Sequence, residues 1–218
     1  MSRLARRRAC WRNLVTKKIL IITAVLGVAT AGVAHAQSIG SGQSNNASVR
    51  SQLNATITDV NNSVSVTSAA ISNSVTIDGG TAVSLNNTQN AWGGASSQLN
   101  ATIGDVSEDV SATSAAIANS ATIKTSDWGG AITNTQVAYN DPSATLNTTI
   151  SDVSGAVSAT AAAISNSATI DSRLGSLNSS QTNTAGVSAI ATTTVRDVSG
   201  AVTNTAAAIG NSLTVTGF

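Results

Sequence analysis

The tetrapeptide Asn-Ala-Thr-Ile at residues 54–57 recurs along the chain in eight versions, and every version ends in Thr followed by Ile or Val. The steps between successive versions are 20, 26, 20, 27, 20, 25 and 20 residues, so two steps make a repeat of about 46. Self-similarity at a fixed period is the sequence signature of a repeat architecture. The closing residues are Ile57, Ile77, Ile103, Ile123, Ile150, Ile170, Val195 and Val215, and the threonines before them are Thr56, Thr76, Thr102, Thr122, Thr149, Thr169, Thr194 and Thr214.

Two series of amide residues keep the 46-residue period. One contains Gln43, Gln89, Gln136 and Gln181, and the other contains Asn73, Asn119, Asn166 and Asn211. Identical amides placed one above another in stacked strands form hydrogen-bonded ladders, so we expect both series to hold a stack together. The series divide the chain into repeats at 43–88, 89–135, 136–180 and 181–218, after a Ser/Gly-rich lead-in at 37–42.

Apolar and polar residues alternate within each repeat. Residues 157, 159, 161 and 163 share one face, and after a one-residue slip Ile164, Asn166 and Ile170 share the next. Alternation with a period of two is typical of strands. The Ala-rich stretches are good helix formers, but Thr, Val, Ser and Asn interrupt them. The sequence predicts an all-β fold, a parallel β-solenoid of about eight coils with two coils per repeat, Ile or Val inside and Thr outside.

Residues 1–36 differ in composition from the rest of the chain. Seven of the 11 basic residues lie in 1–18, residues 19–34 are uncharged and mostly apolar, and Ala34-His35-Ala36 fits a small-x-small cleavage pattern. These features predict a secretory signal peptide cleaved after Ala36. The processed chain would hold four basic and ten acidic residues, a net charge of −6 (4 − 10), and would lack the only Cys and the only His.

This composition argues against several function classes. Without Cys and His the strong zinc and transition-metal ligand sets are missing, and no Ser or Thr has a histidine or a well-placed lysine to activate it. We therefore predict no enzyme activity. A mildly acidic, aromatic-poor chain is also atypical of nucleic-acid binding. Low charge with abundant Ser, Thr, Asn and Gly is shared with disordered linkers, but the in-phase Val, Ile and Leu residues favour an ordered stack.

Regularly spaced carboxylates form one further series, Asp59, Asp105, Asp152 and Asp197. With two coils per repeat these residues would lie roughly 10 Å apart, which favours a turn role over paired-carboxylate catalysis. A calcium site is a weaker alternative at the denser group Asp105, Glu108 and Asp109, because no calcium-loop spacing surrounds it. No other cofactor is predicted.

Three aromatic residues are candidate surface contacts. Trp92 and Trp128 each precede Gly-Gly, and Tyr139 lies in the corresponding variable segment. One interpretation is that the rings fold back over a thin core. The other is that they form a platform for a sugar ring or a neighbouring subunit.

Two family resemblances cover most of the chain after residue 36. The stretches 166–171 (Asn-Ser-Ala-Thr-Ile-Asp) and 134–136 (Asn-Thr-Gln) resemble phrases of the curli major subunits, which are secreted bacterial fibre proteins. The stretch from Asp152-Val153-Ser154-Gly155 to Ser167 is similar to repeats in bacterial holdfast-attachment and related surface proteins. Both resemblances imply an exported structural or adhesive role.

Neither end of the repeat region departs from the repeat enough to serve as a polar cap. An uncapped coil is an unpaired sheet edge, so the sequence predicts a homopolymeric extracellular or cell-surface fibre for adhesion or biofilm. Extracellular polysaccharide and an outer-membrane secretion or anchoring protein are candidate partners. The alternative function is a monomeric solenoid that binds ice or polysaccharide through outward Thr columns or loop tryptophans.

Overall fold

The computed structural model describes residues 29–31, 38–80, 84–125 and 130–217. Within these ranges it contains thirteen strands and no helix. Sheet I contains β2 (Ser38–Asn45), β5 (Ser84–Ala91), β8 (Gly130–Ala138) and β11 (Leu174–Asn183). Sheet II contains β3 (Val49–Ile57), β6 (Ala95–Val106), β9 (Ser143–Val153) and β12 (Ser188–Val198). Sheet III contains β4 (Val64–Asp78), β7 (Val110–Lys124), β10 (Val157–Asp171) and β13 (Val202–Thr216), with β1 (Ala29–Ala31) paired to β4.

Every pairing from β2 to β13 is parallel and joins a strand to the third strand after it. Three strands therefore make one turn, and the predicted parallel β-solenoid is confirmed. The predicted number of coils is wrong, because the structure has four coils of about 46 residues. The 20-residue step connects sheet II to sheet III inside one coil, and the longer step continues through sheet I of the next coil. Four coils span about 20 Å along the axis, half the length that eight coils would have.

The recurring Thr-Ile phrase appears twice in each coil. Ile57, Ile103, Ile150 and Val195 stack in sheet II, whereas Ile77, Ile123, Ile170 and Val215 stack in sheet III. The apolar residue of each pair points inward and the threonine before it is exposed. This arrangement follows from the period of two in a strand. The eight apolar residues therefore form two columns of four, one on each side of the core, rather than the one column that eight coils would give.

The long strands of sheet III pack against both shorter sheets. Their first halves meet sheet II in a cluster that includes Leu99, Ile103 and Val110. Their second halves meet sheet I in a cluster that includes Ile123 and Ile132. Much of the remaining core is alanine, so each coil buries modest apolar area, and backbone and amide hydrogen bonds carry much of the order.

Strands β4, β7 and β10 of sheet III change face where two consecutive residues are both buried. In β10 these residues are Ser165 and Asn166, and in β7 they are Ala118 and Asn119. The predicted slip between residues 163 and 164 is therefore placed two residues too early, and Ile164 lies on the outer face. The slip occurs at the asparagine because its amide enters the interior to join a ladder.

The amino-terminal segment is described only at β1, which lies within the predicted signal peptide. Its three residues pair with residues 75–77 of β4. The rest of the predicted signal peptide, residues 126–129 and Phe218 lie outside the described residues. Five residues of the predicted lead-in, 38–42, belong to β2. In the described part of the chain, no helix has the length and apolar character needed to cross a membrane.

Candidate functional site

An asparagine ladder runs along the inner side of the bend in sheet III. The Nδ2 of Asn73 donates to the Oδ1 of Asn119, Asn119 donates to Asn166, and Asn166 donates to Asn211, each at 2.8 Å. Each Nδ2 also donates to a backbone carbonyl of sheet I, such as that of Val137 at 2.9 Å from Asn119. Asn119 and Asn166 are fully buried. The ladder therefore joins neighbouring coils to one another and joins sheet III to sheet I.

A glutamine ladder runs in parallel on sheet I. The Nε2 of Gln89 donates to the Oε1 of Gln43, Gln136 donates to Gln89, and Gln181 donates to Gln136, each at 2.7 Å. Every Nε2 also donates to a serine carbonyl of sheet III at 2.8 to 2.9 Å. The two ladders are reciprocal, since each donates into the backbone of the sheet that carries the other.

The two ladders point in opposite directions along the axis. Asparagine amides donate toward the carboxyl-terminal coil and glutamine amides donate toward the amino-terminal coil. At the carboxyl-terminal end the Oε1 of Gln181 accepts no ladder bond from a described residue, and the same holds for the Oδ1 of Asn73 at the other end. Among the described residues, each end thus has one ladder acceptor without a ladder donor, which is Gln181 Oε1 at the carboxyl-terminal end and Asn73 Oδ1 at the other. Each end also has an amide with an N–H that no ladder bond uses, which is Asn211 at the carboxyl-terminal end and Gln43 at the other. The ends are complementary.

Two shorter ladders lie outside the two predicted amide series. On the outer face of sheet II, Asn147 donates to Asn100 at 3.0 Å and Asn100 donates to Asn54 at 2.8 Å. Inside sheet I, Asn87 donates to Asn134 at 2.8 Å. The signal that could have found both is recurrence at 46 or 47 residues, which these asparagines share with the predicted series.

The inner ladder of sheet I is incomplete in the first coil. Asn87 is fully buried, and its Oδ1 has no hydrogen-bond partner among the described residues. The residue paired with it in β2 is Ser41, whose side chain is half-buried. A serine is too short to continue an amide ladder, so a buried acceptor is left without a donor, at a cost of about 1–3 kcal/mol.

Replacing Ser41 with Asn is expected to raise the free energy of unfolding by about 1 kcal/mol, because the new Nδ2 can donate to the Oδ1 of Asn87. Urea unfolding followed by circular dichroism measures the gain. Ser44→Asn in the same strand is the control, since Ser44 points outward and is exposed. A Ser41→Asn variant no more stable than Ser44→Asn would contradict the assignment.

The carboxyl-terminal coil exposes residues whose equivalents elsewhere are buried. Val202 is 47% exposed, although the paired Val157 is 1% exposed. Leu213 is 45% exposed, and its partner Ala168 is 1% exposed. These side chains point along the core columns, so this end of the stack carries an apolar surface beside unpaired backbone groups of β11, β12 and β13.

Two of the three predicted aromatic contacts stack on each other. The rings of Trp92 and Tyr139 lie 3.7 Å apart with an interplanar angle of 4°. They are 46% and 39% exposed at the corner between sheets I and II, in successive coils. Each ring packs on the other rather than folding back over the core, and the interpretation of the rings as a platform for a sugar or a neighbouring subunit stays a prediction. Trp128 lies outside the described residues.

The aspartate series lies at the carboxyl-terminal ends of the sheet II strands, where the chain turns toward sheet III. Asp59, Asp105, Asp152 and Asp197 have φ values of 59°, 54°, 55° and 51°, in the left-handed region that Asp tolerates better than most residues. This position supports the turn interpretation. Because a repeat is one coil, neighbouring members lie in adjacent coils about 5 Å apart, not the expected 10 Å.

The candidate calcium group is not brought together as a metal site. Within the described ranges no cluster of three potential ligands is positioned to hold a metal ion. Glu108 instead accepts hydrogen bonds from the backbone N and the hydroxyl of Ser63, both at 3.0 Å. The Oδ1 of Asp109 accepts from the backbone N of Ala156 at 2.8 Å. Both carboxylates tie one turn to the turn of a neighbouring coil.

The outward threonines of sheet II border a shallow polar groove. The groove crosses the four strands and is lined by the exposed asparagine ladder on one side and by threonines, including Thr102 and Thr149, on the other. The alternative function, a monomeric binding solenoid, would use the outward Thr column that lines this groove.

The fold and its internal amides define a class of protein, a parallel β-solenoid whose coils are fastened by stacked Asn and Gln side chains. Residues 23–176, more than half of the chain, match the family HfaD, holdfast attachment protein D, and the chain belongs to this family. The predicted resemblance to holdfast-attachment proteins is thereby confirmed. Comparison with curated proteins and with solved structures gives no significant match. Family membership makes the chain an adhesion-related protein of the cell surface or extracellular space.

Proposed function

We propose that the protein is a non-enzymatic structural subunit that stacks coil on coil into an extracellular fibre. The observation that carries the proposal is the complementarity of the two ends. The spare N–H of Asn211 can donate to the Oδ1 of Asn73 in the next copy, and the spare N–H of Gln43 can donate to the Oε1 of Gln181. Head-to-tail contacts of this kind repeat without closing and give filaments.

The exposed apolar side chains supply the driving force for stacking. In a filament, β13 of one copy pairs with β4 of the next. Leu213 then packs on Val75 of the next copy, just as Ala168 packs on Ala121 within the chain. Burying such half-exposed residues is favourable by about 25 cal/mol per Å² of apolar surface. Backbone hydrogen bonds along the new edge then fix the register.

Assembly also needs a free edge on β4. Strand β1 pairs with residues 75–77, the positions that Leu213 and its neighbours would meet. The proposal therefore includes removal of β1 with the predicted signal peptide, cleaved after Ala36. Curli-like assembly, a secretion or anchoring protein in the outer membrane, and contact with extracellular polysaccharide belong to the same proposal.

Replacing Leu213 with Lys is expected to raise the concentration needed for filament formation at least tenfold, because stacking would bury an unpaired ammonium group beside Val75. Thr214→Lys is the matched control, since it adds the same charge one residue away on the outer face and should assemble like the wild type. Sedimentation and negative-stain electron microscopy of the processed chain measure both outcomes.

Two results would overturn the proposal. One is unchanged assembly of Leu213→Lys. The other is a processed wild-type chain that stays monomeric at high concentration and forms no filaments. The second result would favour the alternative in which a monomeric solenoid binds a surface through the groove of sheet II.

A further inference from the structure

The outer face of sheet III carries a repeated apolar pattern that the core does not explain. In β4, Thr67, Ala69 and Ile71 point outward, and the residues paired with them in β7, β10 and β13 are again Thr, Ala and Ile. The isoleucine column contains Ile71, Ile117, Ile164 and Ile209, of which Ile209 is exposed and the others are half-buried. We call this surface the Thr-Ala-Ile face.

This face is uniform across three adjacent outward columns. Sheet II has a single uniform outward column, the threonines at 56, 102, 149 and 194, next to columns that vary. In sheet II one outward column reads Gln52, Gln98, Thr145 and Ile190, so its chemistry changes from coil to coil. Inward positions are restricted by core packing, and the outward asparagines of sheet II are restricted by the hydrogen bonds of their ladder. Neither restriction applies to the outward alanine and isoleucine columns of sheet III. Three outward columns with one residue type in all four coils therefore indicate contact with something outside the chain.

The face is also uncharged. Residues 64–74 and the stretches paired with them, 110–120, 157–167 and 202–212, contain no Asp, Glu, Lys or Arg. Copies that carry a net charge of −6 after processing repel each other, and they repel least where no charge lies at the contact. The face has the features of a dry interface between two sheets, with small and β-branched side chains at a regular spacing.

We infer that the Thr-Ala-Ile face is a lateral interface between two filaments of this protein. The area of the face favours a second filament, rather than a single copy, as the binding partner. Three columns on four strands cover about 400 Å² per copy, and a stable interface needs about 800 Å² per partner. A single copy is too small to form a stable lateral dimer, but stacking joins the faces of successive copies into a continuous surface. Lateral pairing thus depends on the proposed stacking and begins with short filaments of two or more copies.

The test replaces Ile71, Ile117, Ile164 and Ile209 together by Thr, which keeps the β-branched shape and makes the column polar. We expect the secreted, processed protein to form filaments as before, with at least a tenfold drop in the fraction of filaments seen in pairs by electron microscopy. The control replaces Thr56, Thr102, Thr149 and Thr194 by Ser on the outer face of sheet II and should leave pairing unchanged.

A second variant on the same face tests the inference independently, in case the fourfold Ile→Thr variant misfolds. Ala162→Glu adds one carboxylate per copy at an outward position in an inner strand, so pairing should be lost at low salt and partly regained at high salt, where charges are screened. Unchanged pairing in both variants would overturn the inference. Wild-type filaments that always remain single would overturn it and leave stacking intact, whereas absence of any filament would overturn stacking and pairing together.

Discussion

Replacing Asn119 with Asp is expected to lower the free energy of unfolding by about 3–5 kcal/mol. Asn119 is 0% exposed and takes part in three hydrogen bonds, accepting from Asn73 and donating to Asn166 and to the carbonyl of Val137. An aspartate keeps the acceptor but loses both donors, and its second oxygen would face two other oxygens. The variant therefore combines unsatisfied acceptors with a buried carboxyl group.

The matched control is Asn54→Asp in the exposed ladder of sheet II. Asn54 accepts a hydrogen bond from Asn100 at 2.8 Å and is exposed, so a carboxylate can replace its Oδ1 and remain in water. This change is expected to alter stability by less than about 1 kcal/mol. Urea unfolding of dilute protein compares the two variants. Equal, small effects would mean that the buried ladder contributes little to the stability of the stack.

The fold class was predictable because two regularities in the sequence have one physical meaning each. Alternation of Thr and Ile requires a strand with one buried face, and recurrence at a fixed interval requires that equivalent strands lie side by side. The inward position of Ile103 and the outward position of Thr102 follow from these facts alone. Neither inference needed the identity of the strand's partner.

The number of coils was not fixed by the Thr-Ile phrase, because that phrase suits any strand with one buried face. It occurs in sheets II and III alike, so counting it doubles the coils. The discriminating signal was the residues found once per 46, such as Gln89 and Asn119. A ladder needs its members in adjacent strands, so the period of the amides is the length of one coil.

The complementary ends could not be read from the sequence. An amide column can donate in either direction, and its direction depends on which backbone carbonyls lie within reach of each Nδ2 or Nε2. Asn166 reaches the carbonyl of Thr182, and Gln136 reaches that of Ser167. These cross-sheet bonds orient the two ladders oppositely. The place where the chain slips its phase depends on the same contacts, since the slip is needed to bring the asparagine inward.

Replacing Gly155 with Ala is expected to lower the free energy of unfolding by about 2–4 kcal/mol, because there is no room for a side chain at this turn. A Cβ at Gly155 would lie 2.4 Å from the carbonyl carbon of Glu108 and 2.6 Å from the backbone N of Asp109. Both are backbone atoms of the turn in the preceding coil, so the coils would have to separate locally.

The control for this change is Gly42→Ala. A Cβ at Gly42 meets nothing within 4 Å, and alanine is easier than glycine to order in a strand, so this variant should be neutral or stabilised by about 0.5 kcal/mol. Urea unfolding measures both variants. A Gly155→Ala variant as stable as Gly42→Ala would mean that neighbouring turns are not in contact.

The position of Gly155 also predicts which part of the Gly155→Ala variant loses protection from hydrogen exchange. Gly200, in the coil after that of Gly155, packs directly on it. A Cβ added at Gly200 would lie 2.2 Å from the carbonyl oxygen of Gly155. Strain at one turn is therefore transmitted to the turn above it, while sheet I lies on the far side of the coil and keeps its glutamine ladder. Amide hydrogen exchange should accelerate around residues 108, 155 and 200 and remain slow in β8. Uniform acceleration would instead mean that the coils open as a single cooperative unit.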